Sequence, residues 1–144
     1  MPRWRLGGGQ PRASVVGFFL VPAAFAVAMT GGVALALAGV ALPHVEAGVV
    51  ASLLVFGVLV AFAIRLPAQA GVVLIGAFAV FHGHAHGGAT PAAAAPALYV
   101  LGLLGATGAL HVAGVATHLI ARRGWLTRAA GAATAAAGAI FALA

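Results

Sequence analysis

The sequence has no cysteine and very little charge. Only 6% of its 144 residues are charged and Glu46 is the single acidic residue, whereas 64% of the residues are apolar. The absence of cysteine excludes disulfides and thiolate metal sites, so any metal must be bound through nitrogen and oxygen. So little polar surface excludes a water-soluble domain of this size, and the mean hydropathy of +1.17 indicates that lipid surrounds most side chains.

Five apolar runs predict the fold. Each run is close to the roughly 20 residues that a helix needs to cross the hydrocarbon core of a bilayer. We therefore expect an all-α, polytopic transmembrane bundle of about five helices, with residues 13–144 as a single domain behind a basic segment, residues 1–12. A secretory signal ending near Ala26 is the alternative for the first run, but hydrophobicity continues past that point and favours a retained helix. The predicted helices are 13–42, 46–64, 68–87, 97–121 and 125–143.

The positive charges lie before the first of these runs and at two of the turns between them. With five spans, every arginine falls on one side of the membrane, which a four-span or six-span arrangement would not achieve. The positive-inside rule then predicts a multi-pass protein of the bacterial inner membrane, with its N-terminus in the cytoplasm and its C-terminus outside. The same distribution differs from a phosphate-binding stripe, so no nucleic-acid partner is expected. The arginines are Arg3, Arg5, Arg12, Arg65, Arg122, Arg123 and Arg128.

Pairs of small residues four positions apart predict close helix packing in lipid. Contacts within one subunit are the simpler interpretation, and a homo-oligomer interface is the alternative. The sequence has no nucleotide-binding loop, and we expect no enzyme activity. The pairs are Gly83 with Gly87, Gly102 with Ala106, and Gly105 with Ala109.

Histidines at the end of the third predicted helix are the first candidate binding residues, because ionisable groups at membrane depth are costly and usually functional. On a continuous helix His82 and His86 share a face and His84 points away, so all three would bind one ion only if the neighbouring glycines unwind the helix end. His44 and Glu46 lie at the outer start of the second helix, where they can join the same site. The alternatives are a polar helix end bonded to carbonyls and water and, for Glu46, a favourable interaction with the helix dipole.

A second polar group follows one face of the fourth predicted helix. Thr107, His111, Gly114 and His118 recur at helical spacing and predict a stripe that faces the bundle interior. The stripe could be a conduction path or a proton relay; a buried His111 bonded to a neighbouring carbonyl, and an ordinary interfacial His118, are the alternatives. Pairing His111 with a histidine of the third helix would also suit axial ligation of b-type haem, although their depths differ by about 10 Å.

Several strings of the sequence occur together in a specific order. They are LPHVEAG (42–48), RLP (65–67), FHGHAHG (81–87), YVLG (99–102), AT (106–107) and LH (110–111). From about residue 20 to the end, the chain resembles the HupE/UreJ family in the order and spacing of these strings. The resemblance implies an accessory membrane protein of hydrogenase or urease maturation that admits or supplies nickel by facilitated diffusion, and it points to Glu46, His82, His86 and His111 as site residues.

The start of the sequence departs from the family pattern. Such proteins begin with a signal segment and a helix that carries His-Pro and Asp-His motifs, and this sequence shows neither. Either an upstream helix is missing, or the chain is a shortened homologue whose transport competence is in doubt.

From these observations we expect uptake or supply of a divalent metal, Ni²⁺ or Co²⁺, through weak binding at several His and Glu side chains. The expected partners are the bilayer, the metal ion and hydrogenase or urease maturation proteins, with no organic cofactor. Because only neutral imidazole binds a metal, protonation should oppose binding. Two alternatives remain open: a non-transporting metal-binding accessory subunit, and a haem-binding electron-transfer subunit.

Overall fold

Helices account for all the regular structure in the part of the chain that the structure describes. The structure is a computed structural model that describes residues 15–91, 95–121 and 124–144, with the backbone alone for 15–19 and 118–121. The predicted basic segment 1–12 lies outside these residues, as do Arg122 and Arg123. The predicted all-α fold with five helices is confirmed. The helices are α1 (Val15–Leu37), α2 (Val45–Ala61), α3 (Ala68–Gly88), α4 (Pro96–Ala121) and α5 (Gly124–Leu143).

Four of these helices, α1, α3, α4 and α5, are long and apolar enough to cross a membrane. The α2 helix is shorter, with 17 residues, and Glu46 is its one charged residue. At 1.5 Å per residue its length is about 25 Å, which is at the short end of the range for a membrane span.

The first two helices end earlier than predicted because a left-handed residue closes the last turn of each. Gly39 has a φ of +74°, and the N–H groups of Gly39 and Val40 bond back to carbonyls three and five residues earlier. This Schellman pattern ends α1 at Leu37 rather than at residue 42. The same pattern ends α2 at Ala61 rather than at residue 64, with Ala63 in the left-handed position at a φ of +51°.

Two glycines of α3 allow close packing against α1. A Cβ added to Gly83 would overlap the carbonyl group of Met29, and one added to Gly87 would lie 2.8 Å from the carbonyl oxygen of Val33. Residue numbers rise together along this contact, so α1 and α3 are parallel. The predicted Gly83 and Gly87 pair therefore packs within one subunit, as the simpler interpretation expected.

Three further glycines allow α2 and α5 to pack closely. They are Gly57, Gly131 and Gly138. A Cβ on Gly131 would meet the backbone of Ala61, and one on Gly138 would meet the backbone of Leu54. Because the α5 numbers fall as the α2 numbers rise, the two helices are antiparallel. The small-residue pairs did not predict this contact, since Gly131 and Gly138 are seven residues apart rather than four.

The least covered helix is α4. No residue of its membrane-length segment, Pro96–Thr117, is buried. A Cβ added at Gly102 or Gly105 would meet no atom within 4 Å. In the part of the chain that is described, the predicted small-residue pairs of α4 therefore have no helix packed on them, and a homo-oligomer interface on this face stays a prediction.

Alternating helix directions place two arginines at the opposite end of the bundle from His44 and the histidines of α3. Arg65 follows α2 and Arg128 lies in the second turn of α5, and the antiparallel packing of these helices brings both residues to one end of the bundle. His44 precedes α2 and therefore lies at the opposite end, together with His86 near the end of α3. This is the separation that the arginine pattern predicts for these residues. The membrane side that each end faces stays a prediction.

Candidate metal site

His82 lies where α3 packs against α2, and it bonds to a buried serine. Its Nε2 atom is 2.8 Å from the Oγ atom of Ser52, which is only 2% exposed. One turn further along α2, Phe56 packs edge-on against Phe78, which is one turn earlier on α3, with ring centroids 5.4 Å apart. The two helices are therefore antiparallel, and they leave the His82 ring half-buried between them.

His84 points away from His82 and connects α3 to the segment that follows α1. Its Nε2 atom lies 2.8 Å from the carbonyl oxygen of Val40. Because a carbonyl oxygen can only accept, Nε2 carries the hydrogen, and in the neutral ring Nδ1 has the lone pair. His84 thus holds the connection between α1 and α2 against the end of α3.

The end of α3 stays helical through all three histidines. The helix continues to Gly88, and the backbone carbonyl oxygen of His86 accepts hydrogen bonds from Tyr99 Oη and Thr90 Oγ1, each at 3.1 Å. The His86 side chain is exposed, one turn beyond His82. Since the helix is not unwound, the possible convergence of the three imidazoles does not occur, and His84 faces a different neighbour.

His44 and Glu46 lie at the same end of the bundle as these histidines. His44 is exposed, its backbone is left-handed with a φ of +56°, and its side chain does not cap α2. Glu46, in the first turn of α2, borders a mostly apolar groove whose lining includes Ala85 of α3 and Phe141 of α5. Within the described residues, no three His, Asp or Glu side chains are grouped closely enough to hold one metal ion.

His111 packs at the contact between α4 and α1. Its ring centroid is 5.5 Å from that of Phe25, and its Nδ1 atom is 2.8 Å from the carbonyl oxygen of Thr107. The Thr107 hydroxyl donates to the Sδ atom of buried Met29 at 3.9 Å. These contacts make α1 and α4 antiparallel. They also place His111 about one turn, or about 6 Å, closer to the arginine end than Met29.

The predicted stripe on α4 is covered over part of its length. Thr107 and His111 are half-buried, whereas Gly114 is exposed and a Cβ added to it would meet no atom within 4 Å. Gly114 therefore does not face a neighbouring helix in the described part of the chain, contrary to the prediction. The side chain of His118 lies outside the described residues.

Sequence reasoning missed two residues that contact these polar groups, Ser52 and Met29. Ser52 is the one hydroxyl residue in α2, and a hydroxyl in the middle of an otherwise apolar stretch is the signal that could have identified it. Met29 carries no such signal, because methionine is an ordinary core residue in an apolar run.

His82, His84 and His111 share one chemical arrangement. Each has one ring nitrogen hydrogen-bonded to a protein oxygen, and the opposite nitrogen has no hydrogen bond to any of the described residues. Metal-binding histidines are oriented in this way, because a fixed N–H leaves the lone pair on the other nitrogen. Each ring can therefore bind a cation or accept a proton, although the three rings do not surround a common point.

Four of the described helices are apolar and of membrane length, imidazoles lie between the helices, and the two described arginines lie at the end opposite His44 and His86. These features define a multi-span membrane protein. The chain belongs to the HupE / UreJ family, since the family description "HupE / UreJ protein" matches residues 10–141, which confirms the resemblance. "Protein HupE" of Rhizobium leguminosarum bv. viciae is 40% identical over 97 residues, which cover 67% of this chain and 51% of that protein. The chain thus spans about half the length of this curated relative. No solved structure shows significant similarity to the present chain.

Proposed function

We propose that this protein mediates the uptake or supply of a divalent metal ion, nickel first among the candidates, by facilitated diffusion across the membrane. The observation that supports the proposal is the shared arrangement of His82, His84 and His111. Each imidazole has one nitrogen hydrogen-bonded to a protein oxygen, and in the described part of the chain the other nitrogen has no hydrogen bond. This is the arrangement that proteins use to orient histidine ligands.

The ion would meet these groups in order from the histidine end of the bundle. Exposed and half-exposed donors would capture it, the half-buried His82 would follow, and His111 with Thr107 would be the next site inward, before His118. Binding at each site must be weak, because an ion that is held tightly at one site does not move on. Donors at separate heights suit this requirement better than one closed cluster. The capturing donors are His44, Glu46, His84 and His86.

The choice of nickel, and the link to hydrogenase or urease maturation, rest on family membership. Nitrogen and oxygen donors bind nickel, cobalt, copper and zinc alike, so the donor set alone does not select among them. Proteins of hydrogenase or urease maturation are accordingly the proposed partners, besides the lipid bilayer. Nickel is the cargo in this proposal.

The proposed location is the bacterial inner membrane, with the N-terminus in the cytoplasm and the C-terminus outside. Arg65 and Arg128 lie at one end of the bundle, and the positive-inside rule assigns such an end to the cytoplasm. The histidine end then faces the compartment from which the metal arrives.

Nickel flux into liposomes tests the proposal. Vesicles that carry the purified protein and enclose a nickel-sensitive fluorophore should admit nickel faster than protein-free vesicles. The His111→Phe variant keeps an aromatic ring against Phe25 but has no ligand nitrogen, so flux should fall about tenfold or more. The matched control is Thr134→Ala, which removes a hydroxyl that, among the described residues, bonds within α5, and it should leave flux unchanged.

The other outcomes separate the alternatives. Equal flux through the wild type and His111→Phe would contradict the proposed path. Tight nickel binding without flux would identify an accessory subunit that only binds metal. A haem absorption band in the purified protein would identify an electron-transfer subunit instead.

A further inference from the structure

Ser52 combines burial with two short hydrogen-bond contacts. It is the buried polar residue of the described chain, at 2% exposure. Its Oγ atom lies 2.6 Å from the carbonyl oxygen of Val49 and 2.8 Å from Nε2 of His82. No other hydroxyl in the described residues contacts an imidazole nitrogen. The serine thus connects the backbone of α2 to the ring on α3.

The two distances determine where the hydrogens lie. Two oxygens approach to 2.6 Å only with a hydrogen between them, and the carbonyl of Val49 has none to donate. The hydroxyl hydrogen of Ser52 therefore points to Val49. The serine oxygen is left to accept from His82, so Nε2 of His82 carries a hydrogen.

We propose that Ser52 is a positioning residue that holds His82 in the Nε2–H tautomer and leaves Nδ1 as the atom that binds metal. The first half of this inference concerns the metal-free protein and stands by itself. The second half rests on the proposed function, because it names the atom through which His82 meets the cargo ion.

The surrounding packing makes the contact specific to this pair. Gly48, one turn before Ser52, faces the ring of Phe81, and a Cβ at that glycine would overlap the ring. This close approach brings α3 within hydrogen-bond distance of a serine, which has one of the shortest polar side chains. His86, one turn beyond His82, is exposed and bonds to no serine in the described part of the chain.

Nitrogen NMR of protein labelled with ¹⁵N-histidine tests the first half without any metal. The His82 signals are assigned by their loss in His82→Gln. The wild type should show a protonated Nε2 and an unprotonated Nδ1, and Ser52→Thr, which keeps the hydroxyl, should retain this pattern. Ser52→Ala should show a mixture of both tautomers. A wild-type ring with its hydrogen on Nδ1, or an unchanged tautomer in Ser52→Ala, would overturn the inference.

Nickel titration of the same proteins in detergent tests the second half. Loss of an orienting partner weakens metal binding about 10- to 100-fold, so Ser52→Ala should bind nickel more weakly by that factor. His82→Gln should weaken binding as much or more, because the glutamine amide can still donate to Ser52 but supplies no nitrogen lone pair at the Nδ1 position. Thr134→Ala should bind like the wild type.

The two measurements distinguish the two possible failures. A wild type that binds no nickel, but shows the expected tautomer, would reject the proposed function and keep the role of Ser52 in orienting the ring. A wild type that binds nickel equally well with and without the serine hydroxyl would reject the metal-binding role of Nδ1 and keep the proposed function.

Discussion

At the scale of single residues, three histidines spaced two positions apart on α3 have three different surroundings. His82 bonds to a buried serine, His84 bonds to a backbone carbonyl of another segment, and the His86 side chain is exposed. A helix turns by about 100° per residue, so neighbours at this spacing face different elements. Three histidines in one short string therefore have different structural roles.

The first prediction compares two members of this string. His84→Ala should lower the free energy of unfolding by about 1 kcal/mol, since it removes the hydrogen bond to the Val40 carbonyl. It should also speed proteolysis in the connection between α1 and α2, which His84 holds. His86→Ala, at an exposed site, should change stability by less than about 0.5 kcal/mol. Chemical unfolding in detergent micelles measures the stability of both variants. Equal stability losses would contradict the structural role assigned to the His84 hydrogen bond.

The partners of these residues could not be read from the sequence. The imidazoles were identified because polar groups in apolar helices stand out, but Ser52 lies 30 positions away from His82 along the chain. Only the register between α2 and α3 brings the two together. His111 shows the same limit, because its bond to Thr107 is local whereas its contact with Phe25 depends on how α4 meets α1.

At the scale of helices, glycine has opposite effects on two faces. Gly83 abuts the backbone of Met29, whereas a Cβ added to Gly102 would meet no atom within 4 Å. Glycine is therefore required at the first position for α1 and α3 to approach closely. At the second it only weakens an exposed helix.

The second prediction follows from this difference. Gly83→Ala should destabilise the protein by about 1 to 3 kcal/mol, because the added methyl group forces α1 and α3 apart. Gly102→Ala should leave stability unchanged or raise it by up to about 1 kcal/mol through helix propensity. Thermal unfolding in detergent compares the two variants. If Gly102→Ala were the more harmful change, another helix would have to pack on that face, as in a homo-oligomer.

Helix ends were less predictable than helix positions. Hydrophobicity continues past Leu37 and past Ala61, so the apolar runs alone extend both helices too far. A glycine at position 39 is a recognisable end signal, but Ala63 in a left-handed conformation is not, since alanine rarely adopts it.

At the scale of the whole molecule, the helix directions can be tested with single cysteines. The chain has no native cysteine, so every introduced thiol is unique. Ala41→Cys and Thr90→Cys lie in connections at the histidine end, and Leu66→Cys lies in the connection at the arginine end.

The third prediction is that these thiols label from opposite sides. In intact cells, a membrane-impermeant maleimide should modify the first two, whereas Leu66→Cys should react only after the membrane is opened. The reason is the antiparallel packing of α2 with both α3 and α5, together with the positive-inside rule. Labelling of Leu66→Cys alone in intact cells would reverse the proposed orientation. Labelling of all three would contradict the alternating directions.

The sequence by itself determined that lipid surrounds the chain, how many helices it forms, and that the arginines lie at the opposite end from His44 and the histidines of residues 82–86. These properties depend on composition and on the positions of charges along the chain, which need no knowledge of contacts. Only the tertiary structure decided that α1 lies against α3, that Ser52 reaches His82, and that His111 packs on Phe25. Such contacts join residues far apart in the sequence. They depend on which faces carry glycine, because a missing Cβ lets two backbones meet where any larger residue would hold them apart.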